Sequence, residues 1–322
     1  MSIMSGLESR SVAGVARQWL RPAQRTVNAI PSGRVREKSL APKASDPPRF
    51  PFLIQGDLFA GFIIERQLGK GGFGAVYLAS SPTHGWVALK ISSRDMKDEA
   101  WAHAIAAGIE YKGLVDALDS GIFEVEPNEG YNWLAIRYVP GPTLAKLLRQ
   151  DRRAEDWGPR ALHPERARKI ARKIALAAGE MHRRGIVHSD IKPANVILKN
   201  REALVLLDYG LTKQFPVPPP VDRIIKGTQS YMSPEQMKGE SYGPPADVFA
   251  IGVVLWEMLT GEQARDNRQV QLTPLGPKAK PLPPLPPYIL AKYQDIINKA
   301  TADRPENRYP NGHALARALA EV

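Results

Sequence analysis

Thirteen positions separate Asn195 from Asp208, and the interval reads as a β-hairpin. Val196-Ile197-Leu198 and Leu204-Val205-Leu206-Leu207 are apolar runs of strand length, and Lys199-Asn200-Arg201-Glu202 is the polar break between them. A hairpin brings its two ends side by side, so the residues at those ends are expected to face one site. At one end stands His188-Ser189-Asp190-Ile191-Lys192-Pro193-Ala194-Asn195, at the other Asp208-Tyr209-Gly210. Carboxylate and amide oxygens are ligands that hard Mg²⁺ takes beside phosphate and water. A second carboxylate, off the metal, can accept a hydroxyl proton. The pattern therefore suits holding Mg²⁺ and a nucleoside triphosphate against a hydroxyl group. Each piece alone is weak, since Asp-x-x-x-x-Asn occurs by chance and an isolated Asp-x-Gly is usually a turn.

A second pattern lies upstream. Leu68-Gly69-Lys70-Gly71-Gly72-Phe73-Gly74-Ala75-Val76 contains Gly-x-Gly-x-x-Gly. Glycine lets a backbone approach phosphate oxygens closely and takes positive φ without penalty. The run is followed by a strand rather than a helix, which argues against a dinucleotide fingerprint. Sixteen residues beyond Gly74, Lys90 ends the apolar run Val87-Ala88-Leu89. A lysine in that place is more often a solvated strand end. Beside a nucleotide it needs phosphate and a carboxylate to offset desolvation, and Glu99 is the candidate partner, ahead of Asp95 and Asp98.

Asp57 begins a region that reads as three strands (Phe62–Ile64, Ala75–Ala79, Trp86–Ile91), a helix over 94–107, and two more strands over 114–123 and 133–139. After Gly141 the pattern turns helical: 143–150, 164–184, 247–259, 294–302 and 312–321. The longest apolar run, Val248 to Trp256, is too short to span a bilayer, so no transmembrane segment is expected. With no cysteine, disulfides, thiolate metal sites and thiol catalysis are excluded. The six histidines show no metal spacing.

Residues 1–56 read as a separate, disordered basic arm. Residues 1–50 carry nine basic and three acidic side chains, over half of the chain's net +11. A solvated tail is the first reading, and a nucleic-acid or anionic-surface partner the second. Val12, Val15, Ala16 and Leu20 share one side of a short helix. A transit peptide or secretion signal also fits the composition.

From about Phe62 to Leu319 these residues resemble a protein kinase catalytic domain, most closely the bacterial Ser/Thr kinases of eukaryotic type. The resemblance implies an α+β, two-lobed fold: an N-lobe (57–139) of small antiparallel sheet plus one helix, and a mainly α C-lobe (140–322). It implies ATP and Mg²⁺ as cofactors. The glycine loop, Leu68, Gly69, Lys70, Gly71, Gly72, Phe73, Gly74, Ala75 and Val76, would cover ATP. Ala88 would line the nucleotide site, and Lys90, paired to Glu99, would hold the α- and β-phosphates. Backbone groups of Arg137 and Val139 would form the hinge contacts. Asp190 matches the catalytic base, Asn195 and Asp208 the metal ligands. Lys192 would sit near the γ-phosphate, as in members acting on Ser or Thr. Thr228 matches the threonine that contacts the catalytic loop. Asp247 matches the buried aspartate opening the central helix, and Arg308 the partner of Glu235.

There are departures. Ser189 replaces the arginine that usually precedes the base, which puts control by loop phosphorylation in doubt. Tyr209 replaces Phe, Arg137 stands where Glu is common, and 262–287 is rich in proline. Lys280, Pro283 and Pro286 have an SH3-ligand spacing, with a rigid surface connection as the plainer reading. His188 reads as a structural core histidine. The expected activity is phosphoryl transfer from ATP to Ser or Thr of a protein substrate, with autophosphorylation, in a bacterial cytoplasm or as a secreted effector. A pseudokinase scaffold and a small-molecule phosphotransferase are the rival readings.

Overall fold

The structure is a computed structural model that describes residues 53–71, 74–93, 111–126, 129–149, 161–200, 203–208, 211–218, 228–263, 270–273, 276–279, 282–287 and 289–322. The helix expected over 94–107, the arm before Leu53, and Gly72, Phe73, Glu99, Tyr209 and Lys280 lie outside them. The described residues divide into two compact units: 53–93 with 118–136, and 111–117 with those from 137 onward. The architecture is α+β.

The first unit is one sheet in the order β1-β2-β3-β4-β6-β5: β1 (Leu58–Phe59), β2 (Phe62–Gly71), β3 (Gly74–Ser81), β4 (Gly85–Ser93), β5 (Ala117–Glu126) and β6 (Glu129–Arg137). Strand alternation sends Ala75, Tyr77, Ala79, Val87, Leu89 and Ile91 to one face, where they pack with Phe59, Phe62, Ile64 and Ala135. Packing begins at Leu53, inside the stretch expected to be arm, because its side chain joins this cluster. The apolar run expected as a strand from Leu114 is divided instead. Leu114 bridges Leu206 in the second unit, and β5 starts at Ala117.

The second unit is mainly helical: α1 (Leu144–Arg149), α2 (Pro164–His182), α3 (Pro234–Lys238), α4 (Pro244–Thr260), α5 (Ala291–Ala300) and α6 (Gly312–Ala318). Helix α2 buries Ala167, Ile170, Ala171, Ile174, Ala178 and Met181 at three- and four-residue spacing and leaves Lys169 and Arg172 exposed. Helix α4 is buried from Ala246 to Leu259, an all-round apolar helix at the core of its unit. It opens at Pro244 rather than at Asp247, since proline lacks only an N–H that the first turn does not need. Gly312 lets α6 touch α2: a Cβ there would collide with the Ala175 carbonyl. Short strands complete the unit: β7 (Ile186–Val187) with β10 (Lys213–Gln214), and β8 (Val196–Leu198) with β9 (Leu204–Leu206). The proline-rich stretch holds a hairpin that sequence reading missed, β11 (Val270–Thr273) with β12 (Gly276–Ala279). Pro283, further along this stretch, is tied to α4 by Trp256 Nε1, which donates to Pro283 O at 2.8 Å.

Arg308 is a buried staple. All five of its N–H bonds are used: Nη1 and Nη2 reach Glu235 at 2.7 and 2.9 Å, and the others donate to the carbonyls of Ala302, Asp303 and Pro245. A buried ion pair holds its place when the remaining donors are satisfied in this way.

Candidate active site

The hairpin β8–β9 forms in the register Val196↔Leu206, Ile197↔Val205, Leu198↔Leu204. Beyond its open end, Leu207 N donates to Asn195 O at 2.7 Å, and Leu207 O accepts from His188 Nε2 at 2.9 Å. Asp208 is thus delivered beside Asn195 by backbone geometry. It holds φ = 64°, and Ser189 holds φ = 70°. Aspartate tolerates that region better than most residues. Serine does so at a cost of ~1–2 kcal/mol, and such outliers concentrate at functional sites.

Asp247 sets the loop that carries Asp190. Its Oδ2 accepts from His188 N at 2.8 Å and its Oδ1 from Ser189 N at 2.8 Å. His182 Nδ1 accepts from Gly312 N, so its Nε2 carries the proton and donates to Asp247 Oδ2 at 2.9 Å. Complete burial pushes the Asp247 carboxyl up, but the His182 hydrogen bond, the two histidines and the His188 N–H outweigh it and hold the carboxyl below its ordinary value. We expect Asp247→Asn to cost about 2–3 kcal/mol in urea unfolding at neutral pH, because the amide turns a donor toward a donor. A depressed carboxyl stabilises the fold above its unfolded value and loses that contribution as pH falls through the folded one. The gap between wild type and variant should therefore shrink below about pH 4.

His188 is a scaffold, as its sequence position suggested. Nε2 donates to Leu207 O, which leaves Nδ1 to accept from Asp190 N at 3.3 Å. The next side chains converge. Lys192 Nζ donates to Asp190 Oδ2 at 2.6 Å and to Thr228 Oγ1 at 2.8 Å. Asn195 Nδ2 donates to Asp190 O at 2.9 Å and to Oδ2 at 3.2 Å. Both donors meet Oδ2, and among the described residues none donates to Oδ1. The Asn195 amide is oriented by its own N–H bonds, which turns its carbonyl oxygen away from Asp190. Asn195 and Asp208 are hard oxygen donors that suit Mg²⁺. Among the described residues no group of three or more His, Cys, Asp or Glu is placed to hold a metal. An ion here would complete its shell with phosphate and water oxygens. A cavity of about 230 Å³ adjoins this cluster, lined among others by Leu148, Lys192, Pro193, Thr228, Tyr231 and Glu257.

Sequence reading missed what holds Ser189. Its carbonyl accepts from Gln236 Nε2 at 3.3 Å, and its hydroxyl meets Tyr242 Oη at 3.3 Å. Gln236 carried a signal, the capping box with Ser233 that opens α3. Tyr242 carried none.

In the first unit the cross-strand pairs Gly69↔Val76, Val76↔Lys90 and Leu78↔Ala88 put Val76, Ala88 and Lys90 on the sheet face opposite the core cluster. The loop glycines belong to the strand ends, with Gly71 paired to Gly74. A Cβ on Gly74 would strike the Ile91 carbonyl, which requires glycine there. Ala75 turns to the core face and is buried. Leu68 and Lys70 are exposed. In the second unit, Val139 is buried, and Arg137 N–H donates to Asp116 O at 2.9 Å while its side chain pairs with Asp116.

The family model of the protein kinase domain matches residues 62–318. The chain belongs to the protein kinase family. Its kinase domain is similar to the Serine/threonine-protein kinase PknB of Mycobacterium leprae, 30% identical over 269 residues, which are 79% of this chain and 42% of that protein. It is also similar to the Serine/threonine-protein kinase PknF of Mycobacterium tuberculosis, 29% identical over 291 residues, 83% of this chain and 57% of that one. The chain thus spans about half the length of these curated relatives. Among the described residues no helix is long and apolar enough to cross a membrane.

Proposed function

We propose that this kinase domain transfers the γ-phosphoryl group of ATP to Ser or Thr hydroxyls of a protein, in a bacterial cytoplasm. The observation that carries the reading is the Asp190 carboxylate, with Oδ2 held by Lys192 and Asn195 and Oδ1 left to accept. Asp190 takes the acceptor proton as the new O–P bond forms and the bond to ADP breaks. Lys192, fixed between Asp190 and Thr228, sits where it offsets charge on the transferred group. Asn195 and Asp208 would hold Mg²⁺, which supplies charge neutralisation on the phosphates. Lys90, Val76 and Ala88 form the face suited to the nucleotide, with Gly69, Gly71 and Gly74 over its phosphates. The Ser/Thr preference rests on Lys192 and Thr228 and on the relatives' names.

Incubating the chain with γ-labelled ATP and Mg²⁺ tests the reading. We expect label on Ser or Thr of the chain or of a protein substrate, abolished by EDTA. Label on tyrosine alone, or on aminoglycosides or choline and no protein, would overturn it. Absence of any transfer would favour a scaffold.

A further inference from the structure

Ser189 stands directly before Asp190, and each of its polar groups is held. Its N–H donates to Asp247 Oδ1 at 2.8 Å, its carbonyl accepts from Gln236 Nε2 at 3.3 Å, and its hydroxyl accepts from Tyr242 Oη at 3.3 Å. These bonds grip a residue at φ = 70°, a conformation whose cost lowers the population of a non-glycine residue roughly 5- to 30-fold. Such a backbone persists only while its surroundings over-determine it. Gln236 and Tyr242 are themselves anchored elsewhere. Gln236 Oε1 accepts from Ser233 N at 3.0 Å and from Ser233 Oγ at 3.1 Å, which leaves Nε2 to reach Ser189. Tyr242 pairs both backbone groups with Val217: its N–H donates to Val217 O at 3.1 Å, and its carbonyl accepts from Val217 N at 2.9 Å. The half-buried ring therefore projects from a fixed backbone.

We infer that Tyr242 and Gln236 are positioning residues for phosphoryl transfer, which act on Asp190 by holding Ser189 in its left-handed conformation. The role of Asp190 rests on the transfer reading above; the grip on Ser189 does not. Asp247 holds the loop from the core helix α4, and Gln236 and Tyr242 hold it from α3 and from the chain that pairs with Val217. Transfer needs Asp190 aimed at the acceptor hydroxyl, with Oδ2 on Lys192 and Asn195. When the grip loosens, Ser189 relaxes toward negative φ. That rotation, one residue before Asp190, swings the carboxylate off its partners. A displacement of about 1 Å at a reacting group can cost up to ~10²-fold in rate. A bond that holds strain differs from an ordinary bond in one respect: it becomes dispensable once the strain is gone. Glycine takes positive φ freely, so glycine at 189 should free the loop from its need for the Tyr242 hydroxyl. Alanine at 189 deletes the same serine hydroxyl and keeps the strain.

The test uses the full chain with Tyr242→Phe alone, with Ser189→Gly added, and with Ser189→Ala added. Two readouts run side by side: steady-state kinetics, and amide hydrogen exchange of peptides covering 186–195. Tyr242→Phe should lower kcat about 5- to 10-fold, with KM for ATP within about 2-fold of wild type. Exchange over 186–195 should quicken by about 5-fold, with the melting curve little changed. Adding Ser189→Gly should return both readouts to within about 3-fold of wild type, because the strain is removed. Adding Ser189→Ala should not. Gln236→Ala should show the same kcat loss, again eased by Ser189→Gly. Unchanged kcat and exchange in Tyr242→Phe would overturn the inference, and so would equal outcomes for glycine and alanine at 189. A wild-type chain that transfers no phosphate would overturn the transfer reading instead. The exchange comparison would then still decide whether Tyr242 holds Ser189 under strain.

Discussion

Asp190→Asn should lower kcat by ~10²–10⁴ while leaving the fold in place. The substitution is isosteric at a side chain only 9% exposed, so packing is conserved. Lys192 Nζ and Asn195 Nδ2 are both donors to Oδ2. The new amide must therefore turn its carbonyl oxygen toward them and its NH₂ into the Oδ1 position. That puts a donor where an acceptor for the substrate proton is needed. The Lys192 contact survives as a hydrogen bond, weaker without the ion pair, so Thr228 keeps its partner. KM for ATP should change far less than kcat, because the residues proposed to face the nucleotide are untouched. Steady-state kinetics with a peptide substrate, beside a melting curve, check both statements. Normal turnover in the variant would remove Asp190 from the role of base.

How much of this was legible beforehand depended on the range of the interaction. The hairpin between Asn195 and Asp208 is a local pattern, and it forms in the expected register because two apolar runs flank one polar break. Helix α4 was legible as an apolar run, but its start was not, because Pro244 and Pro245 look like a break until they are seen filling a first turn. The run 114–123 looked like one strand, yet Leu114 belongs to one unit and β5 to the other. Periodicity cannot show that division, since both halves are apolar for different cores. The loss of the arginine before Asp190 was visible as Ser189. Its replacement by bonds to Gln236 and Tyr242 was not, for these partners lie 47 and 53 residues away. Asp247 joins the same class. Its carboxylate organises His182, His188 and Ser189 over sequence separations near 60, and no local pattern announces it; resemblance alone pointed there.

Lys90→Met should lower kinase activity by ~10²–10³ without unfolding the first unit. The face of β4 that the residue occupies decides the outcome. Leu89 and Ile91 are fully buried in the core cluster, and Lys90 between them points to the opposite face, half-buried. Its cross-strand partner is Val76, directly downstream of the glycine turn that ends at Gly74. An ammonium in that place is close in register to the loop suited to phosphate and is held on a rigid strand rather than a flexible end. Methionine keeps the unbranched stem and deletes the ammonium together with its polar contacts. The ladder bonds of β3 and β4 and the core on the far side are untouched, so melting temperature without nucleotide should move little. The two possible roles of Lys90 then separate cleanly. If it binds phosphate, activity falls and the thermal stabilisation that Mg-ATP gives the wild type shrinks, while the apo protein melts as before. If Lys90 instead serves the sheet, the apo melting temperature drops and circular dichroism changes, which would remove it from the nucleotide site and leave the transfer chemistry to be assigned from Asp190, Lys192, Asn195 and Asp208 alone.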